Sequence, residues 1–232
     1  MKIAVDLHIH SCVSPCADMD MTPNNLVTMA YLKGLDAIAV SDHNTAKNLP
    51  ACKAVADARG ILLVPAIEVE SREEVHVLCY FTSVEAAVAM GDYVYDFLPD
   101  IENVPAMFGE QTAMNDDDEP IYTERKLLIQ ATELTIDEIA LKCRALGGVP
   151  VPAHINRTSN SLIACLGFIP DEPEFTSVEV YRSLPVKTNV DMYHVIYSSD
   201  AHRLEDIFER DNFIGVEEKS VEGIVRYLAA KK

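Results

Sequence analysis

Six of the seven histidines lie in or just beyond short apolar runs, and most have an acidic residue close by in sequence. Asp6-Leu7-His8-Ile9-His10 follows Lys2–Val5, and Asp42-His43 follows the run from Asp36 to Ser41. His76 sits inside Val75–Phe81, and His154 follows Val149–Ala153. Asp200-Ala201-His202 follows Val195–Ser199, and Glu68 ends a sixth run that begins at Ile61. Short apolar runs bounded by turn residues read as buried strands. In parallel α/β sheets and barrels the carboxyl ends of the strands share one face, where active sites gather. Six such strand ends would bring histidines and carboxylates together from distant parts of the chain.

Between the strands the pattern changes to helical. Thr22-Pro23 starts a helix to about Lys33, with Thr as cap and Pro in the first turn. Further helices are expected near 46–59, 84–98, 136–146 and 221–230. Strands are expected at Lys2–Leu7, 36–41, 61–67, 75–81, 149–152, 177–180, 195–198 and 213–216. The stretch 109–129 reads as an insert, with a hairpin turning at Asp116–Pro120. This alternation over 232 residues predicts one α/β domain, a small barrel in preference to an open sheet.

Composition narrows the function classes. Hydrophobic residues make up 49% of the chain, too many for a disordered protein. No apolar stretch reaches the ~18 residues of a membrane span. Met1–Asp6 enters a strand pattern directly, without a signal-peptide pattern. The six cysteines form no CxxC pair and suit reduced thiols. A cytoplasmic enzyme without a membrane partner is the expectation. The formal net charge of −18 predicts no binding of long double-stranded nucleic acid. It leaves room for a small phosphorylated substrate, because bound metal ions reverse the field inside a pocket.

His8 and His10 are two apart on a strand, so both side chains should face the same way and could share an ion. The candidate metal ligands are His8, His10, His43, Glu68, His76, His154, Asp200 and His202. Mixed imidazole and carboxylate donors suit zinc, manganese or iron. Eight donors exceed the needs of one ion, so two or three divalent ions are expected, with Glu68 bridging. Asp6 and Asp42 would either orient neighbouring imidazoles or accept backbone N–H groups. Arg157 lies three residues past His154, in a loop rich in hydroxyl and amide groups, and is the candidate phosphate clamp. Arg182 and Arg203 are weaker ones.

This ordered motif set, from Asp6 to His202, resembles the polymerase-and-histidinol-phosphatase (PHP) superfamily of metal-dependent phosphoesterases. The resemblance implies a distorted (β/α)7 barrel with three metal ions at the carboxyl ends of its strands. His8, His10, Glu68 and Asp200 would hold the first ion. Glu68, His76 and His154 would hold the second, and His43 and His202 the third. Many relatives place an Asp five residues past the second histidine of the first motif, for the third ion. Pro15 stands there in this chain. Asp18, at the usual offset from Thr22-Pro23, is the preferred replacement, and Cys16 is the alternative.

The expected function is hydrolysis of a phosphate ester by a metal-activated water, with Glu68 and Asp200 as the central carboxylates. The substrate could be a small phosphomonoester, a nucleotide or a short oligonucleotide. The alternatives are an amidohydrolase-like metal hydrolase, which usually relies on a metal-bridging lysine, and a non-catalytic regulatory module that binds metal.

Overall fold

The computed structural model describes residues 1–232. Its ten strands and seven helices run in the order β1 (Lys2–Ile9), α1 (Pro23–Leu32), β2 (Ala37–Val40), α2 (Leu49–Arg59), β3 (Leu62–Glu70) and β4 (His76–Tyr80). Then come α3 (Val84–Asp96), α4 (Pro105–Phe108), β5 (Thr112–Met114), β6 (Pro120–Thr123), α5 (Ile136–Ala145) and β7 (Val149–Pro152). The chain ends with α6 (Leu162–Cys165), β8 (Ser177–Glu179), β9 (His194–Ile196), β10 (Phe213–Gly215) and α7 (Val221–Ala229). Side-chain caps fix most helix starts. Thr22, Ser83 and Ser220 each accept a backbone N–H of the first turn, and Thr135 forms a reciprocal capping box with Glu138.

Six strands form one curled mixed sheet in the order β10-β1-β2-β3-β4-β7. The expectation of a regular parallel α/β alternation is corrected here. β1, β2 and β3 are parallel, but β4 runs antiparallel to both β3 and β7, and β10 is antiparallel to β1. No helix separates β3 from β4, because Ser71–Val75 makes a turn in which Ser71 N–H bonds Val75 O at 2.9 Å. β8 and β9 form a separate parallel pair. The Ile155 amide bonds Glu179 O at 2.9 Å, and Ile9 bridges Ala201, so this pair sits between β7 and β1.

Strand alternation separates two cores. Ile3, Val5, Leu7, Ala37, Ala39, Val64, Ala66, Leu78, Tyr80 and Val151 pack on the concave face with Ile224, Val225 and Leu228 of α7. Alanine and valine make up about half of this cluster, and isoleucine, leucine and Tyr80 fill the rest of the interior. Ile38, Val40, Leu63, Ile67, Val77 and Cys79 pack on the convex face against α1, α2, α3 and α5. One extra residue in β1 breaks the alternation. Asp6 pairs with Ile38 and Ile9 with Val40, so three steps on β1 match two on β2. This bulge sends Leu7 inward and Ile9 outward. His8 and His10 then fall on the concave side, at the mouth.

The insert forms the expected hairpin, β5 and β6, and packs on the loop after β1. Thr112 N–H bonds Cys12 O at 3.3 Å, and Met114 N–H bonds Asn48 Oδ1 at 2.8 Å. The acidic turn is not a free solvated cluster. Asp118 accepts from the Thr22 hydroxyl at 2.6 Å and the Asn24 amide at 3.0 Å, next to the start of α1. All six cysteines are free, and no helix is long and apolar enough to cross a membrane.

Gly148, between α5 and β7, tests how closely the convex layer packs. A Cβ there would lie 2.5 Å from Phe81 Cε1 and 2.8 Å from Cys143 Sγ. Phe81 and Cys143 are fully buried and have little freedom to yield. Gly148→Ala should cost about 1–3 kcal/mol in a denaturant titration. A midpoint equal to wild type would contradict this packing.

Candidate metal centre

The concave mouth gathers side chains from six separate segments. The bulge of β1 presents His8 and His10, whose Nε2 atoms lie 3.1 Å apart. Beyond β2, Asp42-His43-Asn44 continues to pair with β3. Glu68 N–H bonds Asp42 O at 3.1 Å, and Asn44 N–H bonds Glu68 O at 2.8 Å. This sets His43 beside Glu68. His76 begins β4, and because β4 runs backwards its start reaches the mouth that other strands reach with their ends. After β7, His154 adopts a positive φ of 29°. After β9, Asp200 does so at 53°, while its neighbour Ala201 bridges Ile9. A left-handed backbone at a non-glycine residue costs on the order of 1–3 kcal/mol and persists only where the surroundings enforce it.

Glu68 is 1% exposed and stands at the centre. Its Oε1 lies 3.3 Å from His8 Nε2, 3.0 Å from His76 Nδ1 and 3.3 Å from His154 Nε2. Its Oε2 lies 3.4 Å from His10 Nε2 and 3.0 Å from His43 Nδ1. Asp200 Oδ1 is 3.2 Å from His8 Nε2 and 3.0 Å from His10 Nε2. Three groups of donor atoms converge: His8, His10 and Asp200; His43, Glu68 and His76; and His10, His43 and His202.

These donors fit divalent ions on two grounds. Donors about 2.0–2.2 Å from a shared ion stand roughly 3.0–3.5 Å from each other, the range found here. In addition, His43 Nδ1 and Glu68 Oε2 are buried and hydrogen-bonded to nothing, although only 3.0 Å apart. Two buried polar atoms that face one another off the hydrogen-bonding line are explained by a shared cation.

The charges are strongly coupled. Burial would push Glu68 up, but His76, His8 and His43 hold it well below the usual carboxylate range. Burial likewise opposes the Asp200 charge, and His8 and His10 keep it well below. Burial disfavours protonated His8, yet Glu179, Asp200 and Glu68 raise it well above the usual imidazole value. His10 moves the other way, lowered by burial and by His202 and His43. At His8, which its neighbouring carboxylates favour in its protonated form, a proton and an ion would compete for the same ring nitrogen.

A layer of polar partners fixes the ring orientations. Glu179 lies 3.0 Å from His8 Nδ1 and accepts the His154 backbone N–H at 2.9 Å. Sequence reasoning missed Glu179; the signal was an acidic residue inside an apolar strand, facing the same side as Ser177. Asp42 acts through Ser14, whose hydroxyl donates to Asp42 Oδ1 at 2.7 Å and lies 3.1 Å from His10 Nδ1. Asp42 thus serves His10, not its neighbour His43. Asp6 orients no imidazole, because the bulge turns it away from His8. It accepts the Ser199 and Phe208 N–H groups, each at 2.9 Å.

The third group departs from expectation. Asp18 does not reach the cluster. Its side chain is 59% exposed, with Oδ2 3.6 Å from Arg203 Nε. Cys16 stands at the mouth instead. Burial raises its thiol, but His43 and His202 beside it outweigh that and bring it down to about 6. A cavity of about 270 Å³ opens over the cluster, lined by Cys16, His43, Glu68, His76, Arg157 and His202 among others. Arg157 points into it, with Nη1 2.6 Å from Asp200 Oδ2 and its guanidinium 4.5 Å from the Tyr181 ring centre. Arg182 and Arg203 lie outside, paired with Asp211 and Asp18. His194 packs on Tyr227, away from the mouth.

Neither a protein-family model nor a curated protein matches the chain. Solved structures do. Endonuclease Q from Pyrococcus furiosus, a lesion-specific endonuclease, superposes with a TM-score of 0.69 at 20% identity, over 98% of this chain and 56% of its own. An Endonuclease Q complex with a 27-mer duplex, carrying an abasic lesion at the active site, gives 0.72 at 20% identity, over 99% and 57%. The chain therefore spans a little over half the length of Endonuclease Q. An inferred metal-dependent phosphoesterase from Bifidobacterium adolescentis gives 0.65 at 18% identity, over 97% and 95%. A two-domain Bacteroides vulgatus protein containing a predicted PHP-like metal-dependent phosphoesterase gives 0.55 at 17%, over 98% and 62%. An amidohydrolase from Chromobacterium violaceum, solved with sulfate and no metal, gives 0.58 at 16%, over 94% and 93%.

The duplex complex overturns the exclusion of long double-stranded nucleic acid drawn from net charge. Net charge acts through a field that salt screens within about 10 Å, so it does not decide what a deep, locally charged mouth accepts. The curled mixed sheet is the fold of these structures, Endonuclease Q and the PHP-like phosphoesterase among them, in agreement with the resemblance carried by the histidine and carboxylate motifs.

Proposed function

We propose that this chain hydrolyses a phosphate ester, using water activated by divalent transition-metal ions held around Glu68. The convergence of five imidazoles on one buried carboxylate carries this reading. His8, His10, Glu68 and Asp200 would hold one ion. Glu68, His76 and His154 would hold a second, and His43 and His202 would contribute to a third. Zinc, manganese and iron suit these donors. Bound there, the ions would supply charge for the phosphoryl oxygens and acidity for the attacking water.

The chain's own residues complete the site. Glu179 and Ser14 aim the rings of His8 and His10, and Arg157 offers a guanidinium to a phosphate entering the cavity. We read β1–β4, β7, β8 and β9 as the seven strands of a distorted barrel, with β10 flanking the start of β1, and residues 1–232 as one catalytic unit. The amidohydrolase reading is disfavoured because no lysine lines the cavity.

The test is turnover by metal-reconstituted protein on a panel of phosphomonoesters, nucleotides, short oligonucleotides, a lesion-bearing duplex and simple amides. Turnover of at least one phosphate ester, abolished by chelation, is expected. Turnover of amides alone would contradict the proposal.

Two carboxylates should differ in degree. Glu68→Gln should lose nearly all turnover and bound metal, since it removes the shared charge. Glu179→Gln should lose about ten- to hundredfold in metal affinity or rate, as for other groups that orient a ligand histidine. Elemental analysis alongside rate measurements would show this, and normal values for Glu68→Gln would refute the central role of that residue.

Arg157→Ala should lower kcat/KM by roughly ten- to hundredfold, because a charge-assisted contact contributes on the order of 1.5–3 kcal/mol. Arg157→Lys should recover only part of this, since an ammonium lacks the planar fork. Full activity in Arg157→Ala would remove it from substrate binding.

A further inference from the structure

The loop after β1 is built to hold one residue over the third group of donors. Cys12 N–H bonds Met21 O at 2.9 Å, closing the loop at its base. Ser14 N–H bonds Ser11 O and Ala17 N–H bonds Ser14 O, each at 3.0 Å, so the segment 11–17 is a pair of tight turns. The insert packs against it from outside. A Cβ on Gly109 would lie 2.0 Å from Pro15 O, so the two backbones are in direct contact and Pro15 is buried. Asp18 N–H bonds His202 O at 2.9 Å, which fixes the other end. Between these anchors Cys16 borders the cavity with His43 and His202, while the Asp18 carboxylate turns out to Arg203.

A second observation points to a ligand at the same place. His43 is over nine-tenths buried and borders the same cavity, and its Nδ1, 3.0 Å from Glu68 Oε2, has no hydrogen-bond partner. His10, His43 and His202 already bring three donor atoms within 4.8 Å of one another. Cys16 borders the same cavity beside this group, and a thiol is a donor of a different kind from the carboxylate that Asp18 was expected to give.

We propose that Cys16 coordinates, through its sulfur, the ion held by His43 and His202, making this position of the cluster a soft one. The inference rests on the metal-centre reading above. Coordination replaces the thiol S–H bond with a sulfur–metal bond and releases the proton to solvent. A thiolate favours zinc, or cobalt as its substitute, over manganese at this position. The cluster would then be chemically uneven, with two positions lined by nitrogen and oxygen and one by nitrogen and sulfur.

Titrating cobalt(II) into the chelated protein tests this spectroscopically, without an activity assay. Wild type should show a sulfur-to-cobalt charge-transfer band in the near ultraviolet. Asp18→Asn should keep the band. Cys16→Ser should lose it and bind one ion more weakly, with the remaining cobalt unchanged. Alkylation read by peptide mass mapping gives a second measurement on unmutated protein. Zinc should slow modification of Cys16 roughly tenfold or more, and leave Cys165, exposed and away from the mouth, unchanged. Cobalt binding without the band, a band that survives Cys16→Ser, or no protection of Cys16 by zinc would overturn the inference and leave the metal centre standing. No cobalt binding at all would overturn both.

Discussion

A carboxylate taken out of water costs several kcal/mol unless opposite charge and hydrogen bonds are supplied. Glu68 meets that cost with five histidines drawn from β1, the end of β2, β4 and the end of β7. His43 and His76 lie on or just beyond strands that pair directly with β3, whereas His8, His10 and His154 come from two strands away and reach Glu68 because the sheet curls. The curl of the sheet, the bulge in β1 and the reversed direction of β4 each act on the same point, by turning a side chain toward Glu68. The left-handed backbone at His154 and Asp200 belongs with them, since both residues are held in an unfavourable conformation at the same mouth.

The same cluster explains why polar groups lie so deep beneath the mouth. Glu179, Asp42 and Ser14 are buried, and each ends in a hydrogen bond to a ring nitrogen or to a group that holds one. Two acidic residues that look alike in sequence differ in purpose. Asp42 reaches His10 through Ser14. Asp6 ties the loop after β9 and the Phe208 segment to β1. The insert supports the arrangement from outside, by pinning the loop that carries Cys16.

Much of this was legible in the sequence. Apolar runs marked all eight strands of the curled sheet and the β8–β9 pair, and Thr22-Pro23 marked the start of α1. The acidic turn marked the hairpin of the insert. Strand direction was not legible, because alternation has a period but no polarity, so the reversal of β4 was missed. The bulge was missed because one extra residue leaves no trace in composition, yet it decided the fate of Asp6. The placement of Asp18 outside the mouth and of Cys16 at its border goes with the turns at 11–17 and with Gly109 against Pro15, contacts that sequence offsets do not encode. The net charge misled for another reason: it sums the whole surface, whereas the mouth is governed by groups within a few ångströms.

Anomalous diffraction from crystals of the protein grown with zinc tests the central claim most directly. If Glu68 is the shared ligand of an ion cluster, strong peaks will lie about 2.0–2.2 Å from both of its carboxylate oxygens, each also touching two or more of the histidines. Full-occupancy zinc found only on the acidic surface, with Glu68 still held by imidazoles alone, would contradict it.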